Sequence, residues 1–198
     1  MPNLIYLTNT SLDGYIEDAS GSFDWSVPDD ELHQFFNDLT HPVGTFLYGR
    51  RLYETMAVWE TDPDLAADNP VTADFARAWL DADKVVYSTT LDAPVTARTR
   101  IERTFDPATV AELKAAATRD LTIGGAALAG AALRAGLVDE VQLVLHPVVV
   151  GGGKPALPDG VRARLDLLDE RRFAGGHVYL RYAVRAGPDD PGTDGTHA

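Results

Sequence analysis

The feature that most restricts the fold is a repeated alternation of short apolar segments with segments of helical periodicity. The apolar segments are rich in β-branched and aromatic residues, which is typical of buried strands. The segments between them repeat their apolar residues every three or four positions, as amphipathic helices do. Such an alternation indicates a mostly parallel sheet with helices on its faces. The last two apolar segments are separated only by Ala174-Gly175-Gly176, so they predict an antiparallel hairpin.

We therefore predict an α/β fold in which helices flank a mostly parallel central sheet and an antiparallel C-terminal hairpin closes it. The predicted strands are 4–8, 45–48, 84–88, 121–123, 141–150, 165–173 and 177–184. The predicted helices are one that follows Pro28, then 50–56, 73–82, 107–117 and 126–135. Residues 9–26 are predicted to form a long mobile loop, and residues 57–70 an irregular segment.

Length and composition predict one domain with a short tail. A chain of 198 residues with 45% hydrophobic residues can bury a full core. The last segment is rich in Gly, Pro and Asp and has no hydrophobic anchor, which is typical of disorder. We expect one domain at 1–186 and a disordered acidic tail at 187–198.

Charge and residue usage exclude several classes of function. The formal net charge of −13 repels nucleic-acid phosphates and anionic membranes, so neither is an expected partner. No segment approaches the roughly 20 apolar residues of a membrane helix, and the N-terminus has no signal-peptide pattern, so we expect a cytoplasmic protein. The chain has no cysteine, and its five histidines show no metal-binding spacing, so we expect no metal. His146, which precedes Pro147, is interpreted as the end of a strand.

Polar or glycine-rich junctions follow three of the predicted strands. Gly124-Gly125 opens a helix whose first N–H groups could bind a pyrophosphate, although a packing turn is the alternative. Gly49-Arg50-Arg51 offers two guanidinium groups for a phosphate, or a salt bridge to Glu54. Ser88-Thr89-Thr90 could bind a ribose 2′-phosphate or form an ordinary turn. Together the junctions predict one anionic ligand at the carboxyl edge of the sheet.

A carboxylate suited to proton chemistry lies at the start of the first helix. Hydride transfer to a C=N bond leaves a nitrogen that needs a proton, and a partly desolvated carboxyl can raise the local acidity. The motif Trp25-x-x-Pro28-x-Asp30 places Asp30 there as the candidate acid. Asp29 is adjacent, and one of the two aspartates is expected to cap the helix instead, because adjacent helical residues point about 100° apart.

These motifs resemble the dihydrofolate reductase superfamily, most closely the reductase domain of the bacterial riboflavin-biosynthesis deaminase/reductase. The resemblance covers residues 3–184, and 136–153 is the part most specific to the riboflavin-type branch. Trp25 to Asp30 is closer to dihydrofolate reductase itself. The motifs that carry the resemblance are Leu12-Asp13-Gly14, Gly49-Arg50, Ile123-Gly124-Gly125, Gly136 to Glu140 and Pro147 to Gly153.

The resemblance implies an NADPH-dependent reductase that acts on a pterin-like or ribosylaminopyrimidine-like substrate. It implies catalysis by Asp30, substrate contacts from Trp25 and Tyr53, and a homodimer formed through the strand near 141–148. The implied cofactor-binding residues are Asp13, Gly14, Gly49, Arg50, Arg51, Ser88, Thr89, Ile123, Gly124, Gly125, Ala126, Ala127 and Leu128.

Two positions depart from the family pattern. Riboflavin-pathway reductases tend to carry an acid before the glycine pair, where this chain has Ile123. Dihydrofolate reductases often carry a basic residue in the loop after the third strand, where this chain has Thr89, with Arg98 and Arg100 further along. The alternative hypothesis is therefore a non-catalytic nucleotide-binding or interaction protein that kept the fold.

Overall fold

A computed structural model describes residues 1–185 as a sheet with helices on both faces. The predicted tail at 187–198 and the end of the predicted domain at residue 186 lie outside the described residues. The strands are β1 Leu4–Ser11, β2 Tyr15–Asp18, β3 Val43–Gly49, β4 Asp83–Tyr87, β5 Thr99–Glu102, β6 Asp120–Gly124, β7 Glu140–His146, β8 Gly153–Pro155, β9 Leu165–Arg172 and β10 Val178–Val184. The helices are α1 Asp30–Thr40, α2 Arg50–Met56, α3 Val58–Thr61, α4 Pro63–Ala66, α5 Pro70–Asp81, α6 Pro107–Ala116 and α7 Ala126–Arg134.

The main sheet has eight strands in the order β5-β4-β3-β6-β1-β7-β10-β9. Each neighbouring pair from β5 to β7 is parallel. Strand β10 runs antiparallel to both β7 and β9. The predicted α/β fold with a closing hairpin is therefore confirmed.

Two hydrophobic clusters pack helices against the two faces of the sheet. One face of the sheet contributes Tyr6, Leu47 and Ile123 to a cluster that includes Val110 of α6 and Ala129 of α7. The opposite face contributes Phe46 and Tyr48, which pack with Trp79 and Phe75 of α5 and Tyr53 of α2. A smaller cluster, in which Leu32 of α1 meets Val144, Phe173 and Tyr179, extends the second layer toward the hairpin.

The structure differs from the sequence prediction mainly in short elements. Strand β1 continues to Ser11 because residues Ile5 to Ser11 pair with Glu140 to His146. Strand β7 ends at His146, since Pro147 has no N–H to continue the ladder. The loop predicted at 9–26 contains β2, which pairs with β8 in a separate two-stranded sheet. Residues predicted to be irregular at 57–70 contain the one-turn helices α3 and α4.

The parallel strands bring five chain segments to one edge of the sheet. Strands β3, β6 and β1 end there at Gly49, Gly124 and Ser11, and β7 ends there at His146. Ser88 follows β4 at the same edge. No helix of the described residues is long and apolar enough to cross a membrane.

Candidate functional site

The glycine junctions of β3 and β6 meet at the carboxyl edge. Tyr48 and Gly124 are partners in the parallel register. A Cβ on Gly124 would lie 2.3 Å from the Leu52 Cδ2 atom, so any larger residue would force the Leu52 side chain of α2 to move. Gly125 has φ +90°, and a Cβ there would lie 3.8 Å from the Gly49 backbone nitrogen. The sequence gave a packing turn and a ligand site as alternatives. The close packing of α2 against Gly124 supports a packing turn, and the ligand site stays a prediction.

Helix α7 begins at this junction without a side-chain cap. Gly125 occupies the N-cap position, and within the described chain no side chain bonds to the first N–H groups of the helix. Ala126 is buried, Ala127 is exposed and Leu128 is half-buried. Ile123 is fully buried in the core, so its side chain is not available to a ligand. The nine-residue helix thus presents unpartnered amides and the positive end of its dipole to the edge.

The two arginines after Gly49 have different surroundings. The Arg50 Nε atom donates to Glu54 Oε1 at 2.7 Å, and its Nη1 atom donates to Thr90 Oγ1 at 2.6 Å. The salt bridge to Glu54 is the alternative that the sequence left open. Arg51 has 84% of its side chain exposed, and its Nη1 atom is 4.0 Å from Glu17 Oε1. Arg50 therefore lies against the turn that follows β4.

That turn is closed by Ser88. The Ser88 hydroxyl accepts hydrogen bonds from the backbone N–H groups of Thr90 at 3.2 Å and Leu91 at 2.9 Å. Thr89 is exposed at its tip. Ser88 thus forms the ordinary turn that the sequence gave as an alternative, and its hydroxyl proton can still be donated to a ligand.

Arg103 is a basic residue at this turn that the sequence analysis missed. Its Nη1 atom donates to the carbonyl oxygens of Ser88 at 3.0 Å and Leu91 at 2.7 Å. The residues considered from sequence lie elsewhere: Arg98 pairs with Asp83 at the start of β4, and Arg100 pairs with Glu102. Arg103 directly follows β5, and the sequence analysis did not predict that strand. Two guanidinium groups, those of Arg50 and Arg103, therefore bond to this turn.

Asp13 connects the end of β1 to the loop after β7 by hydrogen bonds. Its carboxylate accepts hydrogen bonds from the N–H groups of Val150 at 3.1 Å and Gly151 at 2.8 Å. A hydrogen bond from Ser11 and these two bonds hold the pKa of Asp13 below its usual value. Gly14 has φ +90°, and its carbonyl accepts from Ala156 N–H. Asp13 and Gly14 join β1 to the loop after β7, and their contact with a cofactor stays a prediction.

The structure distinguishes Asp29 from Asp30. Asp29 is the N-cap of α1, and its Oδ1 atom accepts the Leu32 N–H at 2.9 Å. Its Oδ2 atom lies 2.7 Å from the position that a Cβ on Gly175 would take, and His177 Nδ1 lies 2.9 Å from the same position. Asp30 is exposed in the first turn of α1. Burial lowers the pKa of His33, and the negative charge of Asp30 opposes that shift.

Trp25 packs against His146 at the end of β7, and His146 in turn packs against His177 of the hairpin. The Trp25 ring meets the ring of His146 edge-on, with 5.6 Å between the centroids. His146 meets His177 in the same way at 4.7 Å. His146 does end a strand, as the sequence indicated, but the sequence gave no sign that it would meet His177.

Tyr53 is not placed to contact a substrate in this conformation. Its side chain is 0% exposed. Its hydroxyl bonds to Thr96 Oγ1 at 3.0 Å and accepts the N–H of Val95 at 2.8 Å and of Thr96 at 3.2 Å. Tyr53 anchors the segment between β4 and β5 to α2, and the substrate contact implied by the resemblance stays a prediction.

Comparisons with known proteins agree with this fold. An uncharacterised Bacillus subtilis protein, YyaP, is 30% identical over 174 residues, covering 87% of this chain and 89% of YyaP. A pyrimidine reductase-like protein from Corynebacterium diphtheriae superposes with a TM-score of 0.65 at 14% identity, covering 94% of this chain and 93% of that one.

A bifunctional enzyme contains the same fold as one part of a longer chain. The Thermotoga maritima diaminohydroxyphosphoribosylaminopyrimidine deaminase/5-amino-6-(5-phosphoribosylamino)uracil reductase superposes with a TM-score of 0.61 at 14% identity. The match covers 93% of this chain and 57% of the Thermotoga chain. The family model of the RibD C-terminal domain matches residues 2–179, and the resemblance inferred from sequence is confirmed. This chain belongs to the RibD C-terminal domain family.

Proposed function

We propose that this protein is an NADPH-dependent oxidoreductase that transfers a hydride to a pterin-like or ribosylaminopyrimidine-like substrate. Family membership supports a riboflavin-pathway type of reductase. The observation that carries the proposal is the contact between the Gly49 and Gly124-Gly125 junctions beside the uncapped start of α7. Backbone can approach a ligand closely there, and N–H groups are available to an anion.

The residues around this contact fit a phosphorylated dinucleotide. Amides of Gly125 to Leu128 would bind the pyrophosphate. Arg50, Arg103 and the Ser88–Thr90 turn would bind the 2′-phosphate, with Arg50 exchanging Glu54 for the phosphate. The chain has a net charge of −13, but the guanidinium groups of Arg50 and Arg103 both bond to this turn and supply the positive charge that would attract the phosphate.

The cofactor and the protein have separate roles in the proposed reaction. NADPH supplies the hydride when bound, and the protein orients the substrate and delivers the proton. The sequence assigns the acid to Asp30, and its neighbour Asp29 is the second candidate, because Asp29 Oδ2 and His177 Nδ1 lie 2.7 and 2.9 Å from the same point beside Gly175. Both aspartates stand at the start of α1, so either could act on a ring held against Trp25.

We expect NADPH to raise the melting temperature much more than NADH does. A ligand at 100 times its Kd stabilises a protein by about 2.7 kcal/mol, which corresponds to roughly 5–10 °C for a chain of this size. Arg103→Leu should remove most of the difference between the two cofactors, because NADH has no 2′-phosphate for Arg103 to contact. The measurement is differential scanning fluorimetry with each cofactor.

Arg98→Leu is the matched control, because Arg98 pairs with Asp83 at the opposite end of β4. It should keep the preference for NADPH. Equal shifts with NADPH and NADH, or no shift with either, would contradict the proposal.

A non-catalytic nucleotide-binding protein is the alternative. Its support is Ile123, a fully buried aliphatic side chain where related reductases tend to carry an acid. NADPH oxidation with dihydrofolate, and separately with the riboflavin-pathway phosphoribosylaminouracil, distinguishes the two hypotheses. Cofactor stabilisation without oxidation of NADPH by either compound would favour the alternative.

We also propose that the protein forms a homodimer through the β7, β10 and β9 face of the sheet. Leu143 and Leu180 are partners on this face, and Leu167 of the edge strand β9 is exposed. An apolar face on an edge strand favours association, and most homodimers are two-fold symmetric. Light scattering after gel filtration should give twice the 21.4 kDa of one chain, and Leu167→Glu should give a monomer. A monomeric wild type would exclude the dimer.

A further inference from the structure

Helix α2 begins with two arginines whose position the helix itself does not favour. Arg50 and Arg51 lie in its first turn, which contains no acidic residue, and no side chain among the described residues caps the helix. The positive end of the helix dipole disfavours cations at this position. The stability of α2 therefore does not account for these arginines, whereas an anion bound by their side chains would.

The Arg50 guanidinium is occupied on both of its edges. Its Nε atom donates to Glu54 Oε1 at 2.7 Å, and its Nη1 atom donates to Thr90 Oγ1 at 2.6 Å. A phosphate binds a guanidinium most tightly through two parallel hydrogen bonds from one edge. Because Nε and Nη1 belong to different edges, a phosphate bound in this way must replace Glu54 or Thr90. The Thr90 hydroxyl can also donate to the phosphate, whereas the Glu54 carboxylate can only accept.

The pair of Arg50 and Glu54 contributes little to the helix. A glutamate four residues after its basic partner is the less favourable order for an ion pair in a helix. Both side chains are also nearly half exposed, at 45% for Arg50 and 46% for Glu54. Exposed pairs of this kind stabilise a fold only slightly. The contact can therefore be exchanged for a ligand, but breaking it lowers the affinity for that ligand.

The charge of Glu54 acts on a phosphate and not on a hydroxyl. A phosphate bonded to the Arg50 guanidinium would lie near the carboxylate that contacts the same group, and like charges at short range repel. NADH has an uncharged hydroxyl where NADPH has its 2′-phosphate. Glu54 is therefore expected to oppose the binding of NADPH selectively.

We propose that Glu54 is a specificity-determining residue, whose carboxylate competes with the 2′-phosphate of NADPH for Arg50 and reduces the preference for NADPH over NADH. The proposal rests on the proposed function, because it takes Arg50 to bind that phosphate. The alternative role of Glu54 is to hold Arg50 in the orientation that the phosphate needs. The two roles predict opposite changes in affinity when the charge of Glu54 is removed.

The test measures the Kd values of NADPH and NADH by isothermal titration calorimetry for the wild type and Glu54→Gln. Glutamine keeps a carbonyl oxygen that can accept from Arg50 Nε but has no charge. We expect Glu54→Gln to bind NADPH about threefold to fivefold more tightly, which is the size of one exposed ion pair, and NADH no more tightly. Adenosine 2′,5′-bisphosphate and 5′-AMP repeat the comparison without a nicotinamide, so the result does not depend on turnover.

Asp166→Asn is the control for net charge. Asp166 pairs with Arg185 at similar exposures, 45% and 57%, and it lies on β9, at the opposite end of the sheet from β4. The variant removes the same charge from the same kind of pair. It should leave the Kd values of both dinucleotides unchanged.

Glu17→Gln is the control for a charge near the same junction. Glu17 Oε1 lies 4.0 Å from Arg51 Nη1 and pairs with that arginine instead of Arg50. We therefore expect any gain in affinity to be the same for NADPH and NADH, with their ratio unchanged.

The outcomes separate this proposal from the proposed function. An unchanged or weaker affinity of Glu54→Gln for NADPH would overturn the competition even if the wild type prefers NADPH. Equal gains in Glu54→Gln and Asp166→Asn would also overturn it, because net charge alone would explain them. A wild type without a preference that gains one through Glu54→Gln would support the competition and contradict the proposed cofactor preference. Binding of neither dinucleotide by any variant would reject both.

Discussion

Asp29→Asn should lower the rate of NADPH oxidation by a factor on the order of 10²–10⁴, the range of general acid–base catalysis. Asp29 Oδ2 and His177 Nδ1 both lie next to Gly175 of the hairpin, which places the Asp29 carboxylate near the pair of rings formed by His146 and His177. Asparagine caps helices about as well as aspartate, so the substitution removes the charge and keeps the bond from Leu32 N–H. Steady-state kinetics with a turned-over substrate measures the loss, and the NADPH-induced melting shift should stay unchanged.

Asp30→Asn is the paired variant. Both aspartates are exposed, and Asp30 interacts electrostatically with His33, which lies on its own helix. We expect a smaller loss of turnover than for Asp29→Asn. The reverse ranking, with turnover abolished by Asp30→Asn and retained by Asp29→Asn, would return the role of the acid to the residue that the sequence motif indicates.

Arg181→Met should destabilise the fold by about 2–3 kcal/mol, close to the range for breaking a buried ion pair. Glu140 is 5% exposed, and Arg181 binds it with two hydrogen bonds, from Nε at 2.8 Å and from Nη2 at 2.7 Å. Without Arg181 the carboxylate keeps only the amides of Gln142 and Asn3. The Arg181 side chain is 40% exposed, so solvent screening places the estimate just below that range. Urea denaturation measures the change.

The loss of stability caused by Arg181→Met should depend on pH in a defined direction. Burial alone would raise the pKa of Glu140, but hydrogen bonds from Arg181 and Gln142 outweigh it and lower the pKa. A lowered pKa contributes stability above the unfolded-state value, and that stability is lost as the pH falls through the folded value. The difference between wild type and Arg181→Met should therefore shrink on acidification.

Arg185→Met is the matched control for this ion pair. Arg185 makes a similar two-bond contact with Asp166, but both side chains are largely exposed. Exposed pairs contribute at most about 1 kcal/mol, so this variant should lose little stability. Equal losses for Arg181→Met and Arg185→Met would show that burial of Glu140 is not what makes its ion pair important.

Local signals in the sequence were enough to predict the fold. Helix α2 occupies the predicted residues 50–56, because Gly49 ends β3 and no breaker follows. Gly125 also marked the start of α7 correctly, since its φ of +90° suits glycine. The short strands β2, β5 and β8 escaped prediction because four residues or fewer, half-exposed, carry little periodicity.

The site was less predictable because its contacts are remote in sequence. Arg103 reaches the Ser88 turn only through the pairing of β5 with β4. His146 meets His177 because the hairpin returns along β7, with Val178 opposite Leu145. Sequence spacing gives no sign of either contact. The sequence did identify the glycine junctions, because a glycine pair between a strand and a helix is a local pattern, and it identified Trp25 through a short motif.

A crystal structure with bound NADP⁺ is the sharpest test of the cofactor site. We expect the pyrophosphate at the backbone of Gly125 to Leu128 and the 2′-phosphate within hydrogen-bonding distance of Arg50 or Arg103. The nicotinamide should then face Trp25 and His146. Density for the cofactor at any other place, or none at saturating NADP⁺, would contradict the assignment of this protein as an NADPH-dependent reductase.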